Sequence, residues 1–208
     1  MSVSNDPATP PSPGRRAQQS EATRTALLRA ARELFATRGY AAVGTEELVQ
    51  RAGVTRGALY HHFRDKADLF RALHEEVEQE IVASIAAQIG TIEEPHERLT
   101  AGVRVFLDVC TDPALMQIAL IDGPAVLGWQ AWREIGAQYG LGLMTVVLEN
   151  AMEAGVMRRT DVQPLGHLLL GAVGEAALLV ANARDRPATR NKVEQALTTL
   201  IDGLAIHA

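Results

Sequence analysis

Apolar residues recur every three or four positions along most of this chain, which is the spacing of one face of an α-helix. The longest such stripe follows Asp65 and ends near Gly90, and it consists of Leu69, Phe70, Leu73, Val77, Ile81, Ile85 and Ile89. The alternation of apolar and polar positions that is typical of strands is missing from the sequence, and so is a repeat of fixed period. The pattern therefore predicts an all-α protein with one long, uninterrupted helix that begins at about Lys66.

The stretch between Thr45 and Lys66 predicts two short helices joined by a tight turn. We expect Thr45 to cap the first helix and Thr55 the second, while Gly53 ends the first. Apolar spacing directs one side of this helix-turn-helix inward, namely Leu48, Val49, Ala52, Val54, Leu59 and Phe63. The second helix then presents another set outward: Arg56, Gly57, Tyr60, His61 and His62. Such a helix can enter a major groove, where arginine can read guanine and where tyrosine or histidine can reach phosphates.

A further amphipathic helix is predicted upstream, from Ser20 or Glu21 to Arg38, with Gly39 as its left-handed stop. It completes a three-helix module. Residues 1–19 are rich in proline and small polar residues, so we expect a disordered tail. The end of this tail, Gly14-Arg15-Arg16, could reach DNA as an arm or could have no fixed role.

Breaks in the pattern after Pro95 predict four or five more helices, and they fall at Asp112-Pro113, Asp122-Gly123-Pro124, Gly155, Pro164 and the polar run 184–190. Asp122 is expected to cap a helix that carries Trp129 and Trp132. The last helix is expected from Asn191 to about Ile206.

Two segments in this region, 142–154 and 165–183, are the most apolar of the chain. The second keeps Gly166, Gly171 and Gly174, each of which costs about 0.8–1.0 kcal/mol in a helix relative to alanine. Close approach of another helix would explain these glycines. We hypothesise that both segments pair with their copies in a second subunit as a four-helix bundle, and a monomer core is the alternative.

Charge is distributed unevenly between the two parts of the chain. The 208 residues carry a net charge of −5. Residues 15–66 hold ten Lys or Arg against five Asp or Glu, whereas residues 67–208 hold ten against nineteen. This asymmetry favours a DNA-facing N-terminal module on an acidic body.

Cysteine usage and hydropathy bear on the compartment. The single cysteine, Cys110, excludes an internal disulfide and agrees with a reducing cytoplasm. We find no stretch close to twenty continuous apolar residues and no apolar signal core at the N-terminus. We therefore expect a soluble, cytoplasmic protein without a membrane partner.

Catalytic and cofactor motifs are missing from the sequence. The histidines are scattered or adjacent, which makes a metal site unfavourable, and neither a phosphate-binding loop nor a nucleophile motif is present. The sequence accordingly predicts no enzymatic activity, no metal and no cofactor.

The segment AGVTRGALYHHFRDKADLF resembles the signature of TetR/AcrR family transcriptional regulators. The resemblance implies an all-α homodimer with a DNA-binding domain at residues 20–66 and a larger ligand-binding and dimerisation domain at residues 67–208. Such a dimer would bind a palindromic operator and be released by a small-molecule effector. DNA contacts are then expected from Thr45, Thr55, Arg56, Gly57, Tyr60, His61, His62 and Lys66.

An effector cavity is implied by the same resemblance. Its candidate lining is Phe106, Met116, Trp129, Trp132, Tyr139 and Met144, with Arg104, Gln117 or Glu149 as polar anchors, although each of these residues could instead serve the core. Because few buried charges are evident, we expect an uncharged or weakly polar effector. Two other readings stay open: an activator or architectural DNA binder without an effector, and a helical ligand-binding or enzymatic protein whose N-terminal module is vestigial.

Overall fold

The computed structural model describes residues 13–206. This range folds into ten α-helices and one π-helix, and its only β-pairing is an isolated bridge between Met157 and Ala205. The elements are α1 (Pro13–Arg38), α2 (Thr45–Ala52), α3 (Arg56–His62), α4 (Lys66–Ile89), α5 (Pro95–Val109), α6 (Pro113–Leu115), the π-helix (Met116–Asp122), α7 (Gly123–Leu127), α8 (Trp129–Glu153), α9 (Val162–Ala181) and α10 (Arg186–Asp202). The predicted all-α architecture is confirmed.

The first three helices form the predicted module, but α1 is longer than expected. It begins at Pro13, so the helix extends over residues 13–19, where the sequence analysis predicts a disordered tail. Proline suits a first helical position because its missing N–H would be unpaired there anyway. Residues 1–12, the rest of the predicted tail, lie outside the described range.

Both predicted stops in this module are confirmed, and one of the two predicted caps is not. Gly39 and Gly53 end α1 and α2 with φ of 74° and 68°. The hydroxyl of Thr55 accepts a hydrogen bond from the Ala58 N–H at 3.2 Å and so caps α3. Gly44 is the residue that precedes α2, and Thr45 is already its first helical residue. Thr45 therefore cannot be the cap, because a capping side chain needs the extended backbone that Gly44 has.

The long helix α4 is the central element, as its apolar stripe predicts. Every residue of that stripe is buried. Asp65 caps the helix by accepting the Asp68 N–H at 2.8 Å. Phe70 joins α4 to α1 through an aromatic cluster with Phe35 and Tyr40, whose ring centroids lie 5.3–5.7 Å apart. The far half of α4 packs against α5 and α8, so one rigid element spans from the module to the body.

The body departs from the predicted boundaries around the tryptophans. Asp122 caps no helix through its side chain. A left-handed Gly128, with φ of 80°, instead separates α7 from α8, which starts at Trp129. Proline at 164 does not break α9 but occupies its first turn, and the polar run 184–190 already belongs to α10 from Arg186 onward. Asp185 caps α10 by accepting the Ala188 N–H at 3.0 Å.

Helix α9 is long and apolar enough, by length and composition, to cross a bilayer. His167 and Glu175 interrupt its apolar residues, so it contains no run of about twenty continuous apolar residues. Core helices of soluble proteins pass the same test. Here α9 packs between α8 and α10 and buries seven residues, from Gly166 to Ala181.

Candidate DNA-binding surface and effector cavity

Helix α3 divides into an inner and an outer side, as its sequence predicts. Leu59 and Phe63 are buried, and α3 packs against α1 and α2. Arg56, Gly57, Tyr60 and His61 are exposed, and His62 is half-buried. The outer side is thus a continuous polar surface on a helix whose position is set by its own core contacts.

Arg56, the candidate base reader, is held at the start of α3 by two neighbours. Its Nη1 donates to Glu46 Oε1 at 2.9 Å, and its guanidinium lies 5.6 Å from the centre of the Tyr60 ring. Tyr60 and then Glu46 raise the pKa of Arg56, so the side chain stays cationic. Both members of the ion pair are exposed, and exposed pairs are weak, so a guanine could displace Glu46 at little cost.

Gly57 and Thr55 are both compatible with close approach of a DNA backbone. A Cβ added at Gly57 would meet no described atom closer than the Thr55 hydroxyl at 3.9 Å, so packing does not demand glycine there. The Thr55 hydroxyl uses its oxygen to cap α3 and keeps its proton available for a phosphate. The fold therefore leaves these two positions open for a function outside the chain.

His62 and Thr45 lie at the edge of this surface. Burial, together with His61 and Arg24, lowers the pKa of His62, so it is neutral at pH 7 and could donate to a phosphate only as an uncharged N–H. Thr45 is half-buried at the first position of α2. Contacts of these two residues with DNA stay predictions.

Lys66 lies apart from the other candidates. Its ammonium donates to the carbonyls of Tyr40 at 2.9 Å and Val43 at 2.8 Å, and it lies 3.8 Å from the centre of the Tyr40 ring. Burial lowers its pKa. These contacts tie the start of α4 to the loop between α1 and α2, so in this structure Lys66 holds the module together rather than pointing freely outward.

The body contains a cavity of about 460 Å³ bounded by α4, α5, the π-helix, α8 and α9. Four of the six predicted lining residues border it: Phe106, Trp129, Trp132 and Met144. Met116 and Tyr139 are not among its lining residues, and neither are the proposed anchors Arg104, Gln117 and Glu149. These five lie on other faces of their helices, which periodicity alone did not resolve. The polar lining comes instead from Glu78, Arg133, His167 and Glu175, which sequence analysis missed.

Small residues create this space. Gly102, Gly136, Gly140, Gly171 and Gly174 all border the cavity. A Cβ at Gly136, Gly171 or Gly174 would meet no described atom within 4 Å, so close packing within the subunit does not explain these glycines. Gly166 is different, since its Cβ would lie 3.2 Å from Leu141 and Thr145 of α8. Of the three glycines singled out in α9, Gly166 alone shows the expected close helix approach within the subunit, and on α8 a Cβ at Gly140 would lie 3.1 Å from Leu170.

Glu78 and His74, one turn apart on α4, are ionisable groups inside the protein. His74 is fully buried, stacks on Phe70 and has no hydrogen-bond partner for either ring nitrogen within the described chain. Burial lowers the pKa of His74 to about 4 and raises that of Glu78 to about 7. The His74 Nε2 and Glu78 Oε1 atoms are 3.6 Å apart, which is too far for a hydrogen bond. Glu78 is thus a buried ionisable group at the cavity that the sequence analysis did not identify.

We expect the stability of a Glu78→Gln variant relative to the wild-type protein to grow as pH rises from 5 to 8. The raised pKa of Glu78 means that its contribution to stability is present below pH 4.5 and is lost as pH rises through 7. Glutamine carries no such dependence, whereas the opposite contribution of His74 is common to both proteins. Thermal unfolding midpoints at pH 5, 6, 7 and 8 measure the difference. Glu149→Gln, an exposed carboxylate on α8, is the control, and a Glu78→Gln difference that stays constant with pH would contradict the burial argument.

The π-helix connects the cavity to the DNA-binding module. Ala119 and Leu120 border the cavity, and the Ala119 carbonyl accepts the Trp132 indole N–H at 2.8 Å. Three residues further on, Asp122 Oδ2 accepts the Tyr40 backbone N–H at 2.8 Å. The hydrogen bond from Tyr40 to Asp122 therefore connects the body to the loop between α1 and α2, which Lys66 also holds. Asp122 has this role instead of the predicted one as a helix cap.

Comparisons with known proteins agree with this geometry over both parts of the chain. Residues 27–73 match the family model described as bacterial regulatory proteins, tetR family, and residues 96–204 match the model described as Tetracyclin repressor-like, C-terminal domain. A TetR-family transcriptional regulator from Pectobacterium atrosepticum is 33% identical and superposes with a TM-score of 0.83, covering 91% of this chain and 97% of that one.

Two more similar proteins are a curated relative and a solved structure. The Transposon Tn10 TetC protein of Escherichia coli is 27% identical over 168 residues, which is 79% of this chain and 83% of that protein. The structure of RolR in complex with resorcinol shares the fold, with a TM-score of 0.72 and 20% identity over 89% of this chain and 90% of that one.

Proposed function

Because this chain belongs to the TetR family of transcriptional regulators, we propose that it is a homodimeric repressor that binds a palindromic operator and is released by a small-molecule effector. The family consists of DNA-binding regulators rather than enzymes. The proposal includes the division into a DNA-binding domain at residues 20–66 and an effector and dimerisation domain at residues 67–208, in the cytoplasm.

One observation carries the DNA-binding part of the proposal. The second helix of a helix-turn-helix exposes Arg56, Gly57, Tyr60 and His61 together, and Leu59 and Phe63 anchor it from behind. Arg56 is our base reader, and Thr45, Thr55, Tyr60, His62 and Lys66 are our phosphate contacts, with His61 contacting backbone or base. For Lys66, a phosphate contact would have to be made beside its two bonds to backbone carbonyls.

Dimerisation through the segments 142–154 and 165–183 is supported by apolar side chains that α8 and α9 leave uncovered in the single chain. Val146 is 52% exposed, Leu179 50% and Leu168 72%. Pairing α8 and α9 with their copies would bury these side chains in a four-helix bundle. Two α3 helices held in this way would enter major grooves about 34–36 Å apart, which is one turn of DNA.

Two connections between the cavity and the module support release by a ligand. Helix α4 borders the cavity with Ile81 and Ile85 and starts at Lys66, which holds the loop before α2. The π-helix borders the cavity with Ala119 and holds the same loop through Asp122. A ligand that favours a shifted position of either element changes the spacing of the two α3 helices. It must prefer that state by about 1–3 kcal/mol for typical coupling.

We expect Arg56→Ala to lose discrimination at one operator position by about 1–3 kcal/mol, because a bidentate contact to guanine would be absent. Fluorescence anisotropy with the selected operator and with single-base variants measures the loss. Arg104→Ala is the matched control, since Arg104 is an exposed, ion-paired arginine on α5, far along the chain from the module. Equal discrimination by the Arg56→Ala variant and the wild-type protein would refute the assignment of Arg56 as base reader.

The function as a whole is tested by selecting duplexes from a random pool, with and without a cell metabolite extract. The proposal expects an enriched palindrome whose binding is weakened by the extract. Enrichment that no extract weakens would favour an activator or architectural binder without an effector. Absence of any enriched sequence would refute operator binding altogether.

A further inference from the structure

Glu78 is an acid in a mostly apolar cavity, and no donor in the described chain forms a hydrogen bond with its carboxyl group. The closest ionisable neighbour is His74 at 3.6 Å. Only 16% of the Glu78 side chain is accessible, and since the residue borders the cavity, this part faces the cavity space. A buried carboxylate without a donor destabilises the fold. An incoming ligand group is the partner that this position lacks.

The charged groups around Glu78 limit what that ligand group can be. Near the carboxyl lie His74 on the same helix and Cys110 on α5, and burial keeps both uncharged, since it raises the pKa of the thiol. The other ionisable lining residues, Arg133 on α8 and His167 and Glu175 on α9, are exposed at the cavity's outer side. No cation among the described lining residues lies at the buried end. An anionic ligand group would therefore be repelled by Glu78 and left uncompensated.

Aromatic and aliphatic surfaces form the rest of the cavity. The rings of Trp129 and Trp132 lie 5.1 Å apart, and both residues border the cavity. The Trp132 N–H is already donated to Ala119, so this side chain offers a ring face rather than a donor. Ile81, Ile85 and Leu143 supply aliphatic contacts. The walls favour a flat apolar skeleton, and the buried end favours a single positive group.

We propose that the cavity binds a compact aromatic organic cation, an amine whose protonated nitrogen pairs with the Glu78 carboxylate while its ring system packs against Trp129 and Trp132. This inference rests on the proposed function, because it names the chemical class of the effector that the same cavity would take. A neutral hydroxylated compound of the same shape would donate one hydrogen bond to Glu78 but would leave its charge uncompensated.

The two tryptophans provide the readout. They are the only two in the chain, and both border the cavity, so quenching of intrinsic fluorescence reports directly on its occupancy. Three probes share one skeleton and differ in their polar group: 4-(aminomethyl)biphenyl, 4-(hydroxymethyl)biphenyl and biphenyl-4-carboxylate. At pH 7.5 we expect the amine to bind about tenfold more tightly than the alcohol, because a charge-assisted hydrogen bond replaces a neutral donor. The carboxylate should bind most weakly.

Substitutions at Glu78 test whether this residue is the origin of the preference. In the Glu78→Gln variant, the affinities for the amine and the alcohol should differ by no more than about threefold, because only neutral contacts then distinguish the two probes. Glu78→Asp keeps the charge and should retain the preference, so it serves if the glutamine variant does not fold. Glu97→Gln removes an exposed carboxylate on α5 that does not border the cavity, and it is the matched control. The affinity of the wild-type protein for the amine should also rise from pH 6 to pH 8, as Glu78 loses its proton. Where Glu78 is still protonated, binding of the amine should release that one proton.

Several results would overturn the proposal: an alcohol or carboxylate that binds as tightly as the amine, quenching by none of the three probes, or an amine preference that survives Glu78→Gln. Operator DNA present in the same titration separates this failure from failure of the proposed function. If the alcohol or carboxylate binds best and releases DNA, the effector cavity stands and the cation assignment falls. If the amine binds through Glu78 without changing operator affinity, the cation site stands and the effector role falls.

Discussion

A double variant with Val146→Arg and Leu179→Arg is expected to be monomeric and to bind the palindromic operator about 100-fold more weakly than the wild-type protein. The two side chains lie on α8 and α9 and are 52% and 50% exposed in the single chain. In a two-fold symmetric interface each substitution occurs twice, so four buried cations would face one another. In a monomer the second α3 helix is no longer held next to the operator by the first. The gain in affinity that comes from its high effective concentration there is therefore lost.

Sedimentation velocity measures the oligomeric state of this variant, and fluorescence anisotropy with full and half operators measures its affinity. Affinity for a half operator should change little, because each module is intact. Leu200→Arg is the matched control, since Leu200 is 56% exposed on α10, outside the helices assigned to the dimer. A double variant that remains dimeric at micromolar concentration would show that these faces of α8 and α9 do not form the interface.

Phe70→Ala should lower the free energy of unfolding by about 3–5 kcal/mol, the usual cost of truncating a buried phenylalanine. Phe70 is fully buried, and its ring centroid lies 5.7 Å from that of Phe35, 5.3 Å from that of Tyr40 and 6.3 Å from that of His74. The substitution removes the centre of the cluster that joins α1 to α4. Operator affinity should fall as well, because the position of the module depends on this contact.

Urea unfolding followed by circular dichroism measures the change, and Tyr60→Ala is its control. Tyr60 is also aromatic but is 44% exposed on the outer side of α3, where it contacts Arg56. Its removal should change the free energy of unfolding by no more than about 1 kcal/mol while weakening DNA binding. A loss below about 1 kcal/mol for Phe70→Ala would mean that the cluster does not hold the two helices together.

Together these variants separate four properties of the protein. Arg56→Ala affects base recognition by α3. The double variant Val146→Arg with Leu179→Arg affects dimerisation, and Phe70→Ala affects the attachment of the DNA-binding module to the body. Glu78→Gln addresses the cavity alone. A repressor with the proposed mechanism needs all four properties. The variants should therefore differ in which measured property they change as well as in the size of the change.

The fold class and the outer surface of α3 could be predicted because the signals for them are local. A helix can be recognised in a sequence because its apolar residues recur three and four positions apart. The stripe from Leu69 to Ile89 therefore predicted α4 over its full length. Caps and stops are equally local, as Gly53 and Thr55 illustrate. The predicted cap of α2 was wrong because residue type favoured Thr45 and the backbone conformation favoured Gly44. Threonine is a common cap residue, but the extended backbone that a cap needs belongs to Gly44.

The lining of the cavity was predicted only in part, since its walls come from five elements that are distant in sequence. Periodicity identified apolar residues such as Phe106 and Met144, but it could not tell a cavity wall from a packed core, and it placed Met116 and Tyr139 in the wrong group. The glycines at 136 and 174 carried a usable signal, because each weakens its helix and packing within the subunit does not require either.

The main helices, the helix-turn-helix, the outward set on α3 and the charge difference between module and body are all readable in the sequence, because each depends on neighbouring residues or on composition. Three features follow only from the packing of the whole chain: Asp122 holds Tyr40, 82 residues away, Lys66 faces inward to two carbonyls, and Glu78 lacks a donor beside a cavity. Hydrogen bonding and desolvation depend on which groups the packed chain brings together. Residue type and spacing do not specify this, so a lysine predicted to contact DNA and an aspartate predicted to cap a helix both form hydrogen bonds with the backbone of Tyr40 in the fold.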